Sequence, residues 1–128
     1  MKILSVDHIT INMKAPDESF SFYEKVLELK RESAVDMGDH VLYLYRLPGM
    51  RLELIEYKLA QKHLQTENTN VGIYRHFALL TDDIEDLHRR CEAAGCGINM
   101  KPTFVEKLGR IVMLIRDPNG VEIEIIQR

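Results

Sequence analysis

The sequence has no tryptophan and only two cysteines, Cys91 and Cys96, among its 128 residues. Two cysteines cannot build a dense disulfide framework, and a zinc site made of thiolates needs further cysteine or histidine ligands close by. A stabilising disulfide is not required either, because hydrophobic residues make up 45% of the chain, which is enough for an apolar core. We therefore expect two reduced cysteines and a cytoplasmic location.

Long hydrophobic runs and an excess of charge of one sign are also missing. No apolar stretch approaches the ~20 residues that cross a bilayer, so no membrane segment is expected. The first residues enter a strand-like pattern directly, which argues against a signal peptide. The net charge of −3 is too small to favour a nucleic-acid or membrane-surface partner. What is left is an ordinary globular chain of single-domain length.

The two halves of the chain repeat one pattern of secondary structure. An alternating strand at 7–13 precedes a helix that starts at Pro16-Asp17; a strand at 75–81 precedes a helix that Asp83 opens and Gly95 ends. Three strand-like runs follow each helix, at 30–35, 40–47 and 51–57 in the first half and at 96–100, 110–116 and 121–127 in the second. Each half is therefore βαβββ.

This repeat predicts an α+β fold, with two βαβββ modules forming a cupped mixed, mostly antiparallel sheet and with helices on the outside. We expect a single domain with module one at about 1–57, a polar, aperiodic linker at 58–72, and module two at about 73–128. Neither half, at roughly 60 residues, would bury much core alone. The modules should therefore pack together or pair with a second chain.

Strand alternation places four chemically active residues on one kind of sheet face. His8 lies in the first strand and His76 in the fifth, while Glu53 and Glu124 lie in the last strand of each half. The opposite faces are almost purely apolar and should lie beneath the helices. Apolar residues also share the His/Glu face, which indicates partial enclosure; they are Val6, Ile55, Ala78, Leu80 and Ile126.

The same four residues have the chemistry of a metal site. A single polar residue on a sheet face is usually solvated, but two enclosed carboxylates are costly unless they are paired or bound to a metal. Two imidazoles and two carboxylates around one divalent ion remove that cost, and these donors suit Ni, Zn, Co, Mn or Fe without ranking them. We predict that His8, Glu53, His76 and Glu124 bind one such ion, with open positions if it is five- or six-coordinate.

Five segments, in order along the chain, are similar to the vicinal-oxygen-chelate superfamily, the group of glyoxalase I, extradiol dioxygenases and methylmalonyl-CoA epimerase. They are Asp7-His8-Ile-Thr-Ile, Phe22-Tyr23-Glu-Lys-Val-Leu27, Leu52-Glu53-Leu54, His76-Phe-Ala-Leu and Asp117-Pro-Asn-Gly…Ile123-Glu124-Ile125. The family's metal ligands fall on the four residues already singled out. The resulting His/Glu/His/Glu set is most similar to that of bacterial glyoxalase I, a lactoylglutathione lyase.

The chain departs from its relatives at two places. Many relatives end the first helix with Leu-Gly-Leu, whereas this chain has Leu27-Glu28-Leu29, which costs local strain if the position needs a positive φ. Bacterial glyoxalase I has an arginine four residues after its first histidine, where this chain has Asn12. The resemblance therefore supports metal chemistry more firmly than recognition of glutathione.

The resemblance implies a metal-dependent lyase or isomerase that removes a proton next to a metal-chelated carbonyl or hydroxycarbonyl of a small substrate. Glu124 is the predicted base and Glu53 the alternate. Four further residues share the ligands' parity and are candidates for substrate contact, with a solvated rim position as the alternative; they are Asn12, Arg51, Tyr74 and Glu122.

Other functions on the same scaffold stay open at this point. One is a metal-dependent epimerase or an extradiol-type dioxygenase, and another is a non-catalytic small-molecule-binding or resistance protein. The resemblance also implies a homodimer. It does not decide whether the metal site is built within one chain or across two.

Overall fold

The computed structural model describes every residue from Met1 to Arg128, and the chain divides into two compact units, Met1–His63 and Leu64–Arg128. Unit one consists of β1 (His8–Asn12), α1 (Pro16–Ser21) continued by a π-helical turn (Phe22–Val26), β2 (Arg31–Asp36), β3 (His40–Leu47) and β4 (Met50–Tyr57). Unit two consists of β5 (Phe77–Thr81), α2 (Ile84–Ala93), β6 (Gly97–Val105) with a 3₁₀ turn (Glu106–Leu108), β7 (Arg110–Arg116) and β8 (Glu122–Gln127). None of the helices has the length and apolar character that crossing a bilayer requires.

Both units contain a four-stranded sheet of the same topology. The strand order is β1-β4-β3-β2 in unit one and β5-β8-β7-β6 in unit two. In each sheet the opening strand pairs in parallel with the last one, and the other neighbours are antiparallel. The predicted α+β class is therefore confirmed, with two βαβββ modules and mixed, mostly antiparallel sheets.

The apolar face of each sheet is buried, as strand parity predicts. In unit one Leu52 and Leu54 of β4 are fully buried, together with Tyr23 of the helical segment. In unit two Ile123 of β8 is fully buried and so is Cys91 of α2. Burying a large aliphatic side chain contributes about 1.5–3 kcal/mol, so these faces hold each sheet to its helix. Both cysteines are free thiols.

Most element boundaries lie within a residue of the sequence-based expectation, and three features differ from it more clearly. The first helix widens into a π turn after Ser21, which hydrophobic spacing does not distinguish from α-helix. Strand β6 continues to Val105 because it is an edge strand, in which Pro102 lies within the register shift between Met100 and Thr103. Strand β5 begins at Phe77, so His76 immediately precedes the strand instead of lying inside it.

In unit one, Arg31 and Glu24 form an ion pair that has aromatic neighbours. The Arg31 guanidinium lies 4.2 Å from the ring centroid of Phe20 and donates to Oε1 of Glu24. The Tyr45 hydroxyl donates to the same oxygen at 2.8 Å. Burial raises the pKa of Glu24, but the hydrogen bonds from Tyr45 and Arg31 outweigh it and leave that pKa below its ordinary value.

Glu24→Gln is expected to lower the free energy of unfolding by about 1–2 kcal/mol at neutral pH, and Tyr45→Phe by about 1 kcal/mol. Because the pKa is lowered in the folded state, the carboxylate stabilises the fold above its unfolded pKa. That contribution is lost as the pH falls through the folded value. Urea unfolding of wild type and Glu24→Gln should therefore give curves that converge at acid pH, and a gap independent of pH would contradict this assignment.

Glu28 is the one non-glycine residue with a positive φ, 55°. It follows the first helical segment as Gly95, with φ 67°, follows α2. The departure from Leu-Gly-Leu seen in the sequence therefore places a glutamate in the left-handed region, where an L-residue is strained by roughly 1 kcal/mol.

Glu28→Gly is expected to raise the free energy of unfolding by up to about 1 kcal/mol, while Gly95→Ala lowers it by about 1 kcal/mol. Glu28→Ala is the matched control, since it removes the side-chain contacts of Glu28 but keeps a Cβ at positive φ. Urea unfolding of the three variants measures the effect. A glycine variant no more stable than the alanine variant would show that strain at this position is negligible.

Candidate metal centre

In unit one, a histidine and a glutamate face each other across the parallel pair β1/β4. His8 opens β1 and Glu53 lies in β4, with Nε2 of the histidine 3.7 Å from Oε2 of the glutamate. The other ring nitrogen, Nδ1, is 2.8 Å from Oδ2 of Asp7. The hydrogen bond with Asp7 and the charge of Glu53 raise the pKa of His8 above its ordinary value. The ring is thus oriented with Nε2 toward Glu53.

Unit two contains a second pair of the same kind. His76 directly precedes β5, and its Nε2 is 3.0 Å from Oε2 of Glu124 in β8. Its Nδ1 is buried and has no hydrogen-bond partner, while a carboxylate oxygen of Glu122 lies 3.7 Å away. As in unit one, Nε2 is the nitrogen that faces the glutamate.

The strand registers show that the two pairs are repeats of one arrangement. Thr10, two residues after His8, is paired with Glu53, and Ala78, two residues after His76, is paired with Glu124. One difference stands out: the Thr10 hydroxyl donates to Oε2 of Glu53 at 3.1 Å, whereas Ala78 has no hydroxyl to offer. Glu53 is therefore restrained by a hydroxyl donor from the neighbouring strand, and Glu124 has no equivalent donor.

Each pair has the donors and spacing of two neighbouring metal ligands. Metal bonds to imidazole nitrogen and carboxylate oxygen are about 2.0–2.2 Å long, so adjacent ligand atoms on one ion are about 3 Å apart. The His76–Glu124 distance of 3.0 Å meets this condition, and the His8–Glu53 distance of 3.7 Å comes within a small side-chain adjustment of it. Neither unit alone gathers three or more such side chains that could hold a metal ion.

The remaining candidates for substrate contact have different surroundings. Asn12 ends β1 and is exposed, and Tyr74, which precedes β5, is 67% exposed. Arg51 is the register partner of His8 and lies 3.8 Å from a carboxylate oxygen of Glu32. An open cavity of about 310 Å³ in unit one is lined by Asp7 and Arg51, among others, which brings Arg51 beside a space that a small molecule can enter.

Glu122 does not occupy the solvated rim position that is the alternative to substrate contact. It is only 8% exposed and is bonded to Arg75 and, at 2.8 Å, to the amide of Asn99. Burial raises the pKa of Glu122, but the hydrogen bonds from Asn99 and Arg75 outweigh it and leave the pKa below its ordinary value. Parity placed this residue on the ligand face but carried no information about its partners.

Sequence reasoning missed Asp7 and Arg75 as neighbours of the candidate centre. Both immediately precede a candidate ligand histidine. Their position in the sequence was a usable signal, because a residue beside a ligand can reach the ligand or the ligand's own neighbours.

The sequence matches one protein superfamily and aligns with two individual relatives. The model of the Glyoxalase/Bleomycin resistance protein/Dioxygenase superfamily matches residues 5–125. The chain is 33% identical over 123 residues to lactoylglutathione lyase GLX1 of Arabidopsis thaliana, which covers 94% of this chain but only 43% of that protein's length. It is 28% identical over 128 residues to the uncharacterized protein YwbC of Bacillus subtilis (strain 168), covering 96% of this chain and 97% of that one.

A solved structure has the same fold at low sequence identity. Glyoxalase I from Zea mays superposes with a TM-score of 0.81 at 20% identity, over 97% of this chain and 44% of the maize chain. The chain thus spans less than half the length of each of the two plant proteins, and nearly the full length of the bacterial one.

Proposed function

The chain belongs to the glyoxalase/bleomycin resistance protein/dioxygenase superfamily, and on that premise we propose that it is a metal-dependent lyase or isomerase of the glyoxalase I type. The observation that carries the proposal is the repeated His–Glu pair, which occurs at the same strand register in both units. In this proposal His8, Glu53, His76 and Glu124 together hold one divalent ion. Their nitrogen and oxygen donors suit Ni, Zn, Co, Mn or Fe.

The residues of the chain then have separate tasks. A divalent ion held by these residues would supply the positive charge that acidifies a C–H bond next to a substrate carbonyl. Glu124 accepts the proton from that carbon on a carboxylate oxygen and returns it to the adjacent carbon. His8 and His76 contribute Nε2 as neutral donors.

The assignment of the base to Glu124 is supported by the difference between the two repeats. A carboxylate that takes a proton from carbon must move toward the substrate. Glu53 is restrained by the Thr10 hydroxyl at 3.1 Å, whereas the equivalent neighbour of Glu124 is Ala78. Glu124 therefore lacks the hydroxyl donor that restrains Glu53, and its own contact, at 3.0 Å, is with Nε2 of His76, the nitrogen proposed to bind the ion. Glu53 stays the alternate base.

The substrate is proposed to be a small carbonyl compound, taken as an adduct with a thiol or by itself. The name of the Arabidopsis relative, lactoylglutathione lyase, favours a thiol adduct. Asn12 stands where an arginine was expected to bind a glutathione carboxylate, so the experiment compares glutathione with other thiols. We also propose that the protein is a homodimer located in the cytoplasm.

The test is an assay of the protein loaded with Ni²⁺ or Zn²⁺, using methylglyoxal mixed with glutathione and, separately, with other thiols. The expected result is formation of a 2-hydroxyacyl thioester with at least one thiol, lost on chelation and restored by adding metal. Loaded protein that is inactive with methylglyoxal, both with every thiol and without one, would exclude a glyoxalase I reaction. Oxygen uptake with catechols or proton exchange in a 2-substituted acyl thioester would then indicate a dioxygenase or an epimerase.

A further inference from the structure

Each candidate ligand histidine has a second carboxylate at its Nδ1 side. In unit one this is Asp7, whose Oδ2 is 2.8 Å from Nδ1 of His8. In unit two it is Glu122, whose Oε1 is 3.7 Å from Nδ1 of His76, just beyond hydrogen-bonding distance. Both rings thus lie between two carboxylates, with a candidate ligand glutamate on the Nε2 side and another acid on the Nδ1 side.

The two supporting carboxylates do not occupy equivalent positions in the repeat. Asp7 and Arg75 each precede the histidine of their unit, and Arg51 and Glu122 each lie two residues before the ligand glutamate. The acid and the base have therefore exchanged places between the units. Despite this reversal, a carboxylate lies on the Nδ1 side of the histidine in both units, although it comes from a different position of the repeat in each.

From this arrangement we propose that Asp7 and Glu122 are positioning residues that orient His8 and His76 for metal binding through Nε2. This inference rests on the proposed function, because it concerns how the chain presents its ligands to the ion. A neutral imidazole that binds a metal through Nε2 carries its only ring proton on Nδ1. A carboxylate that accepts that proton fixes the ring orientation and makes Nε2 a stronger donor.

The two histidines start from different states. His8 already directs Nδ1 to Asp7 and keeps Nε2 available, whereas Nε2 of His76 is hydrogen-bonded to Glu124 at 3.0 Å and its buried Nδ1 is without a partner. With Nε2 of His76 as the metal donor, a neutral ring would carry its proton on Nδ1, where Glu122 is the acceptor. Arg75 and Asn99 hold Glu122 in place for this contact.

The experiment compares the dissociation constants of Zn²⁺ for wild type, Asp7→Asn and Glu122→Gln by competition with a chromogenic chelator. Each variant is expected to bind Zn²⁺ about 10- to 100-fold more weakly. The ¹⁵N spectrum of the histidine rings supplies a second readout. In wild type loaded with Zn²⁺, His8 and His76 should both carry the proton on Nδ1, and each variant should alter the Nδ1 signal of its own histidine only.

Asp39→Asn is the matched control for Asp7→Asn. Asp39 contacts Nδ1 of the next residue, His40, at 2.6 Å, the same local arrangement at a histidine that is not a candidate ligand. Its affinity for Zn²⁺ should equal that of wild type. For Glu122, the control is Glu24→Gln, which also removes a carboxylate paired with an arginine, but one bonded to Arg31 and Tyr45 and to no candidate ligand, and which should lower thermal stability without weakening Zn²⁺ binding.

The outcomes separate this inference from the proposed function. If wild type binds no metal, the proposed function itself fails. If wild type binds Zn²⁺ and both Asp7→Asn and Glu122→Gln bind it equally well, the function stands and the positioning role is excluded. Asp7 is exposed, so Asp7→Asn decides the question even if Glu122→Gln does not fold.

Discussion

Replacing Glu124 by glutamine is expected to lower turnover by about 10²- to 10⁴-fold, the usual contribution of a positioned general base. The amide keeps the size of the side chain and one oxygen that can still contact the ion, but it cannot take a proton from carbon. Metal binding should therefore weaken only partly while the chemical step is lost. Full activity of Glu124→Gln would exclude this residue as the base.

Two further variants make the result specific. Glu53→Gln changes the equivalent residue of the other repeat, and we expect it to reduce metal affinity more than turnover of the loaded protein, because Glu53 is tethered by Thr10. Glu85→Gln changes an exposed glutamate of α2 and should match wild type. If Glu53→Gln lost more turnover than Glu124→Gln at saturating metal, the roles of the two glutamates would be reversed.

Loss of a carboxylate that supports a ligand weakens metal binding by up to about 100-fold. Replacing either candidate ligand histidine by alanine removes the donor itself, so the metal dissociation constant is expected to rise by more than that. His8→Ala and His76→Ala each remove one nitrogen donor from a set of four. The double variant should bind no ion at concentrations that saturate wild type. Equilibrium dialysis followed by elemental analysis measures the effect.

His63→Ala is the matched control, because His63 is exposed and lies in a segment without regular structure. It should bind the ion as wild type does. A variant lacking His8 that still bound the metal with wild-type affinity would mean that the pair in unit one is not part of the centre. The corresponding result for His76 would exclude the pair in unit two.

Much of the fold could be predicted from local chemistry. Strands β3 and β7 begin and end at the predicted residues, since each is a short continuous run of apolar side chains bounded by turns. Asp83 was expected to open the second helix, and its side chain accepts a hydrogen bond from the Asp86 amide at 2.8 Å. Gly95 ends that helix at positive φ, also as expected.

The candidate site was only partly predictable. Parity and the repeat were enough to predict four candidate ligands, and the structure places them as one His–Glu pair in each unit. Neither parity nor the repeat could reveal that Arg75 and Asn99 bond to Glu122, or that Thr10 donates to Glu53. Those contacts depend on which strands become neighbours and in what register. The π turn and the long β6 escaped prediction because both interrupt the regular spacing on which it relies.

We propose that the two His–Glu pairs hold one ion together, and the number of ions bound per chain is the direct test of this claim. A calorimetric titration of metal-free protein with Ni²⁺ or Zn²⁺ measures that number, whether the pairs meet within one chain or across two copies. We expect one ion per chain, with binding abolished in the His8→Ala/His76→Ala variant. Two ions per chain, with each single histidine variant retaining one of them, would contradict the claim, and so would no binding at all.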